Sequence, residues 1–323
     1  SPTRASINTG RYPFRHGVGN IVGPTYGSAN YTEFASLSSV PEVTVAQALR
    51  IAGYKSAMVG KSHLGYYLSE GGSGVNLITE TMGYDLFRGT IRNTNTDPDI
   101  AASNGHALGY WNYQWGDTTD GTFVQVDNQY VQIKMRNNVK GSINTKLGEP
   151  YLMMMTTHAP HTPHGGSDNP TNSGSFPGES DADVDATTWS GSSVYPYADR
   201  EDVWVSYRAS VEALDKALDN IINGANGLKA NGTYDRTVFM IVGDNGTPAS
   251  VLQAALAAGE DVQEPAASAI AQGHFKGSIF RAGSRAPLIV SGPASVLKGT
   301  SGRHSSIRID AVDIFPTALQ LSG

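Results

Sequence analysis

Three apolar runs in this chain each break off into a cluster of polar residues able to do chemistry, and few folds accommodate that arrangement. Tyr54-Lys55-Ser56-Ala57-Met58-Val59 leads into Gly60-Lys61-Ser62-His63-Leu64-Gly65. Tyr151-Leu152-Met153-Met154-Met155 leads into Thr156-Thr157-His158-Ala159-Pro160-His161, and Val238-Phe239-Met240-Ile241-Val242 into Gly243-Asp244-Asn245-Gly246. Short apolar runs bounded by Gly and Pro read as buried strands of a sheet covered on both faces. Helices are expected between them, over 44–51 with a stop at Gly53 and over 202–223. In the second, Tyr207, Val211, Leu214, Leu218 and Ile221 recur at spacings of four and three, which makes one apolar stripe. Strand and helix in alternation predict an α/β layered fold with a large, mostly parallel mixed sheet between helices. Such sheets bind ligands beyond the carboxyl ends of their strands, where all three polar clusters fall.

The 323 residues suffice for one large domain, read here as 1–323. A net charge of −6, spread without long blocks, argues against a nucleic-acid or anionic-membrane binder. No apolar run approaches the ~20 residues a spanning helix needs. The absence of cysteine excludes disulfides and thiolate metal sites within this segment. From Gly165 to Ser193 the chain is rich in Gly, Ser, Asp, Asn and Pro and reads as a long surface loop. Asp181, Asp183 and Asp185 alternate there, but the glycine and closing glutamate of a calcium loop are missing, so they read as solvated acids.

Each polar cluster has a chemical reading and a plainer one. Asp244 and Asn245 offer a carboxylate and an amide oxygen side by side, hard ligands suited to Ca²⁺ or Mg²⁺, although Asp-Asn-Gly is also ordinary turn chemistry. Lys61 and His63 leave the first strand together, and extended alternation would put both side chains on one face. A fixed ammonium with an imidazole suits binding and protonating an oxyanion leaving group; alone, the pair also fits a surface lysine and a structural histidine. His161 is flanked by Pro160 and Pro163, which restrict its backbone. Lys276, in His274-Phe275-Lys276-Gly277-Ser278, adds a further cation or a solvated loop lysine. With Arg4, the set is built to bind a tetrahedral anion, and no Gly-rich nucleotide loop accompanies it.

These motifs together resemble the sulfatase family of the alkaline phosphatase superfamily. The family signature runs Cys or Ser, any residue, Pro, any residue, Arg, with Thr-Gly-Arg a few residues on. Pro2, Arg4 and Thr9-Gly10-Arg11 fit it when Ser1 takes the second position. Gly60-Lys61-Ser62-His63-Leu64-Gly65 is similar to the family's Gly-Lys-Trp-His-Leu-Gly, with Ser62 in place of Trp. Gly83-Tyr84-Asp85-Leu86-Phe87-Arg88-Gly89, Pro160-His161-Thr162-Pro163, Asp244-Asn245-Gly246, Lys276-Gly277 and Asp313-Ile314-Phe315-Pro316-Thr317 follow in the family's order.

The resemblance implies a sulfuric ester hydrolase of arylsulfatase type. Its nucleophile, a formylglycine made from Cys or Ser, is expected immediately before Ser1. Asp244 and Asn245 would coordinate a divalent ion, Ca²⁺ by preference and Mg²⁺ otherwise, and Arg4 would hold the formylglycine hydrate near it. Lys61 and Lys276 would bind sulfate oxygens. His63 would assist breakdown of the covalent sulfate intermediate, and His161 would protonate the leaving alcohol or phenol. The family's first strand, with its paired Asp ligands, and its small C-terminal subdomain are expected outside 1–323, so this polypeptide by itself is expected to be inactive. The implied partner is a small-molecule or carbohydrate sulfate ester, with no nucleic acid and no membrane, in a periplasmic or secreted setting. Two other readings stand beside it: a phosphodiesterase or phosphonate monoester hydrolase of the same superfamily, and a non-catalytic binding protein of sulfatase shape.

Overall fold

The computed structural model describes residues 2–19, 42–64, 77–94, 109–119, 122–126, 129–148, 150–161, 202–262, 270–297 and 302–323. The 165–193 stretch, with Asp181, Asp183 and Asp185, lies outside them. The core is a five-stranded sheet in the order β4-β3-β2-β1-β5. Its strands are β1 (Lys55–Lys61), β2 (Leu86–Thr90), β3 (Tyr113–Asp117), β4 (Thr122–Val126) and β5 (Tyr151–Thr156). β1 pairs in parallel with both β2 and β5, while β3 and β4 extend the sheet antiparallel. The expected α/β architecture is therefore present: a mixed sheet, parallel at its centre, flanked by helices.

β1 is buried along its whole length after Lys55, which matches a strand covered on both faces. Alternation divides its side chains between two apolar clusters. Ala57 and Val59 join one with Met153, Met155 and the helix α3 (Val131–Ser142). Met58 joins the other with Phe87, Tyr84, Met154 and Ala5 of α1 (Pro2–Thr9). Each large side chain taken fully out of water contributes about 1.5–3 kcal/mol. The half-exposed Arg50–Asp85 ion pair, at 3.3 Å, contributes at most about 1 kcal/mol. Asp85 matters more for its Oδ2, which accepts the Ser56 N–H at 2.8 Å and so locks the entry of β2 beside β1.

Two glycines make the sheet's carboxyl end possible. Gly60 has φ 111° and a Cβ there would strike the Thr156 carbonyl; a Cβ on its register partner Gly89 would strike the Gly60 carbonyl. The three strand ends can close together only without side chains at these points.

The helix α2 (Val45–Ile51) starts at Thr44 with a capping box to Gln47, one residue inside the expected boundary. The long helix α4 (Val203–Asn223) is capped by Asp202, whose Oδ1 accepts from Trp204 and Val205 N–H. Its buried face differs from the expected stripe. Ser206, Ala209, Ser210, Ala213, Ala217 and Ile221 are buried, while Val211 is 41 % exposed. Small side chains allow α4 to lie close against α3, and the half-buried Leu214 packs on the same core cluster.

The third apolar run forms β6 (Phe239–Val242), paired antiparallel with β7 (Leu288–Ser291). Among the described residues these two strands pair only with each other, and Ile241, Ile289 and Val290 are 41 %, 55 % and 42 % exposed. The expected cover on both faces is therefore not seen for this strand among the described residues. At the chain's end the helix α5 (Ile314–Leu321) sets Phe315 against Gly10, the left-handed residue (φ 64°) that ends α1. Thr9-Gly10-Arg11 is thus a helix terminus, with Arg11 Nε 2.9 Å from the buried Glu42. No helix among the described residues is long and apolar enough to cross a membrane.

Candidate active site

Register places Lys61 beside Thr90 and Gly60 beside Thr156, so β1, β2 and β5 end at one level. Lys61 is the last residue of β1 and only 3 % exposed, yet it makes no hydrogen bond or ion pair among the described residues. Burial pushes its ammonium well below the usual lysine range, and the charges of Arg4 and Lys276 push it further, against the pull of Asp244.

His63 arrives there by a different route from the one expected. Its φ is 50°, in the left-handed region, so simple alternation from Lys61 does not carry its side chain round. The backbone is held instead by the chain beyond β2: Ser62 N–H donates to Thr90 O at 2.9 Å and His63 N–H to Ile91 O at 2.7 Å. A non-glycine residue held in this region is strained, and such strain gathers at functional sites. Burial, then Lys61, hold the His63 imidazole well below the ordinary histidine value, with Arg4 and His161 adding to the effect. It is neutral at pH 7.

Arg4 comes from the first turn of α1. Its Nη2 lies 2.7 Å from Asp244 Oδ2, and Thr3 Oγ1 donates to the Asp244 carbonyl at 2.5 Å. Helix α1 is itself fixed by Tyr84, whose hydroxyl donates to Asn8 Oδ1 at 2.8 Å. The Asp244 loop, which follows β6, is laced to the segment that leads into β7. Gly246 N–H donates to Gly283 O and Thr247 N–H to Ala282 O, both at 3.0 Å, and Lys276 N–H donates to Thr247 O at 2.9 Å. A Cβ on Gly246 would strike the Ala282 carbonyl. These main-chain bonds bring Lys276 to the site, where burial, then Arg4, lower its ammonium while Asp244 opposes them. Burial alone would raise the Asp244 carboxyl; Arg4, Lys61 and Lys276 outweigh it and hold the group below the usual carboxylate range.

Asn245 is exposed, and its Nδ2 donates to Gly246 O at 3.2 Å, leaving Oδ1 for a ligand. Asp244 and Asn245 together fit the hard-oxygen chemistry of Ca²⁺ or Mg²⁺. Among the described residues no group of three or more His, Cys, Asp or Glu could hold a metal, so this pair would need further oxygens to complete a shell of about six to eight.

His161 closes the constellation. It sits in a turn after β5 where its N–H donates to His158 O at 2.8 Å. The buried Tyr110 hydroxyl lies 2.8 Å from both the His158 and His161 carbonyls and shares its one proton between them. Pro163 lies outside the described residues, so Pro160 is the flanking proline in view. Arg4, Lys61, Asp244 and Lys276 thus act on one another in a single site, three basic side chains against one carboxylate, with His63 and His161 beside them. Thr3, Thr90, Tyr110 and His158 are the supporting residues that reading along the chain did not mark. His158 alone carried a signal, three positions before His161 in the same cluster.

A family model described as Sulfatase matches residues 1–323. The chain belongs to the sulfatase family. Arylsulfatase G of Rattus norvegicus is 41 % identical over 69 residues, a stretch covering 21 % of this sulfatase-family chain and 11 % of that protein. Ps i-CgsB, solved in complex with k-i-k-neocarrahexaose, superposes with a TM-score of 0.65 at 21 % identity, over 99 % of this chain and 60 % of that one. BT4656, solved in complex with its substrate D-glucosamine-2-N,6-O-disulfate, gives 0.58 at 18 % identity, over 99 % and 66 %. The phosphonate monoester hydrolase SpPMH from Silicibacter pomeroyi gives 0.51 at 16 % identity, over 100 % and 63 %. The chain therefore spans about three-fifths of the first of these solved relatives and shares its fold.

Proposed function

We propose that this sulfatase-family domain hydrolyses sulfate monoesters, with a formylglycine immediately before Ser1 as nucleophile. The observation that carries this reading is Lys61: buried, its ammonium without a hydrogen bond or ion pair among the described residues, and set beside Arg4 and Lys276, with Asp244 the one described acid that offsets the positive charge. A sulfate monoester brings one negative charge, and its oxygens accept from Lys61 and Lys276 as charge shifts in the transition state. Arg4, fixed by Asp244, orients the reacting group at the helix start. His161 donates a proton to the leaving alcohol or phenol oxygen, and neutral His63 is able to take a proton at the same centre. Asp244 and Asn245 would hold a divalent ion, Ca²⁺ or Mg²⁺, which when bound supplies Lewis-acid stabilisation of negative charge. The residues 1–323 form the large catalytic domain, with the remaining metal ligands and a small C-terminal subdomain supplied from outside it. The substrate is a small-molecule or carbohydrate sulfate ester, met in the periplasm or outside the cell.

The likeness to a phosphonate monoester hydrolase supports a second reading, in which the same cations take a phosphonate or phosphate diester. Matched aryl esters separate the two. Sulfate hydrolysis is expected to exceed phosphonate hydrolysis in kcat/KM by at least about 100-fold, the scale of a few well-placed charge contacts. A preference of that size for the phosphonate would overturn the first reading in favour of the second.

A further inference from the structure

One buried imidazole beside the site has so far been given no task. His158 stands two residues past β5 and is 3 % exposed. Its Nε2 lies 2.7 Å from Thr90 Oγ1, the last residue of β2. Thr90 donates its single hydroxyl proton to Arg92 O at 2.6 Å, so Nε2 must be the donor and Nδ1 the bare lone pair. β1 lies between β2 and β5, and Thr90 is the register partner of Lys61. A side chain that leaves the β5 end and bonds Thr90 has to cross over the end of β1. His158 therefore bridges three strand ends at the floor of the site.

The backbone of the same residue holds His161. His158 O accepts the His161 N–H, and Tyr110 closes the turn from the other side through both carbonyls. Nδ1 is buried with no partner among the described residues, so Nε2 is the ring atom that anchors His158. Burial, and then Lys61, Arg4 and His161, keep the ring neutral, the state in which it can bridge without repelling the site's cations.

We propose that His158 is a positioning residue for His161: the bond from His158 Nε2–H to Thr90 Oγ1 fixes the turn that aims the general acid at the leaving-group oxygen. The proposal rests on the general-acid role given to His161 above. A small displacement of a catalytic group costs rate in proportion to how much the reaction needs that group. Loss of the Thr90 anchor should therefore hurt esters with poor leaving groups and spare activated ones.

The test compares an alkyl or sugar sulfate with 4-nitrophenyl sulfate in the matured protein that carries the residue before Ser1. His158→Leu and Thr90→Val are each expected to lower kcat/KM on the unactivated ester by about 30–100-fold and on the nitrophenyl ester by less than about 5-fold. His158→Gln places an amide N–H near the Nε2 position and should recover both to within about 5-fold. His161→Ala sets the full leaving-group dependence in the same assays. If His161→Ala discriminates between the esters while His158→Leu and Thr90→Val lower both equally, or neither, the proposal is overturned and the general-acid role stands. If His161→Ala itself treats the two esters alike, the general-acid role fails and the proposal with it.

Discussion

Asp244→Ala is expected to abolish turnover and to destabilise the fold at the same time. The carboxylate has two duties that no other described residue shares. It is the acidic half of the hard-oxygen pair, and it neutralises Arg4 at 2.7 Å. On the proposed function, removing it would take away metal-assisted charge stabilisation and let the Arg4 guanidinium swing from the helix start, so kcat/KM should fall by about 1,000-fold or more. It also leaves Arg4, whose side chain is only 9 % exposed, as an uncompensated charge. Breaking a fully buried pair costs about 3–5 kcal/mol. Asp244 is 37 % exposed, so solvent reduces this to about 1–3 kcal/mol. Asp244→Asn keeps an acceptor for Arg4 and the shape of the loop. It should lose nearly as much activity and only part of the stability. Steady-state kinetics with urea unfolding of both variants checks the two effects separately; an Asp244→Ala protein retaining a tenth of its activity would contradict the assignment.

Lys61→Met is expected to separate the same two quantities in the opposite sense. Activity should fall by about 100–1,000-fold in kcat/KM, because the proposed function makes this buried ammonium a ligand of the substrate anion. Stability should rise or stay level, because among the described residues Lys61 is buried beside Arg4 and Lys276 with no hydrogen bond or ion pair, and the pull of Asp244 does not outweigh burial. The pH dependence gives this a sign. Its proton is held less tightly in the folded state than in the unfolded one, so the penalty is full at pH values below the depressed folded pKa. It disappears as pH climbs past the ordinary lysine value of 10.5. The gain from methionine should therefore be larger at pH 7 than at pH 10 and vanish above pH 10.5. A Lys61→Met protein less stable than the parent at pH 7 would show that the lysine supports the fold after all.

The contrast between these residues also explains how much the sequence reveals. Strand ends are legible because a run such as Met153-Met154-Met155 followed by Thr156-Thr157-His158 changes character within two residues. The capping box at Thr44 and Gln47 is legible for the same reason, being local. The buried face of α4 is not: Ala209 and Ala213 are buried in one cluster with Val131, Met135 and Val139 of α3, some 70 positions away in the chain. The left-handed turn at His63 is set by carbonyls of Thr90 and Ile91 on another strand. His158, Thr90 and Tyr110 become one device only through the strand order β2-β1-β5, which no spacing along the chain announces. Charged groups that face substrate carry type and position in the sequence; the uncharged groups that aim them carry neither.

The account's central claim is a formylglycine held over Arg4, Lys61 and Lys276, and one mass measurement tests it. Trypsin cleaves after Arg4, so the peptide that ends there carries the residue before Ser1. The account predicts a mass in which that residue bears an aldehyde or its hydrate in place of the Cys thiol or Ser hydroxyl. A mature protein whose peptide begins at Ser1, or whose preceding residue is neither Cys, Ser nor their aldehyde, would contradict it and leave a sulfatase fold that binds anions without cleaving them.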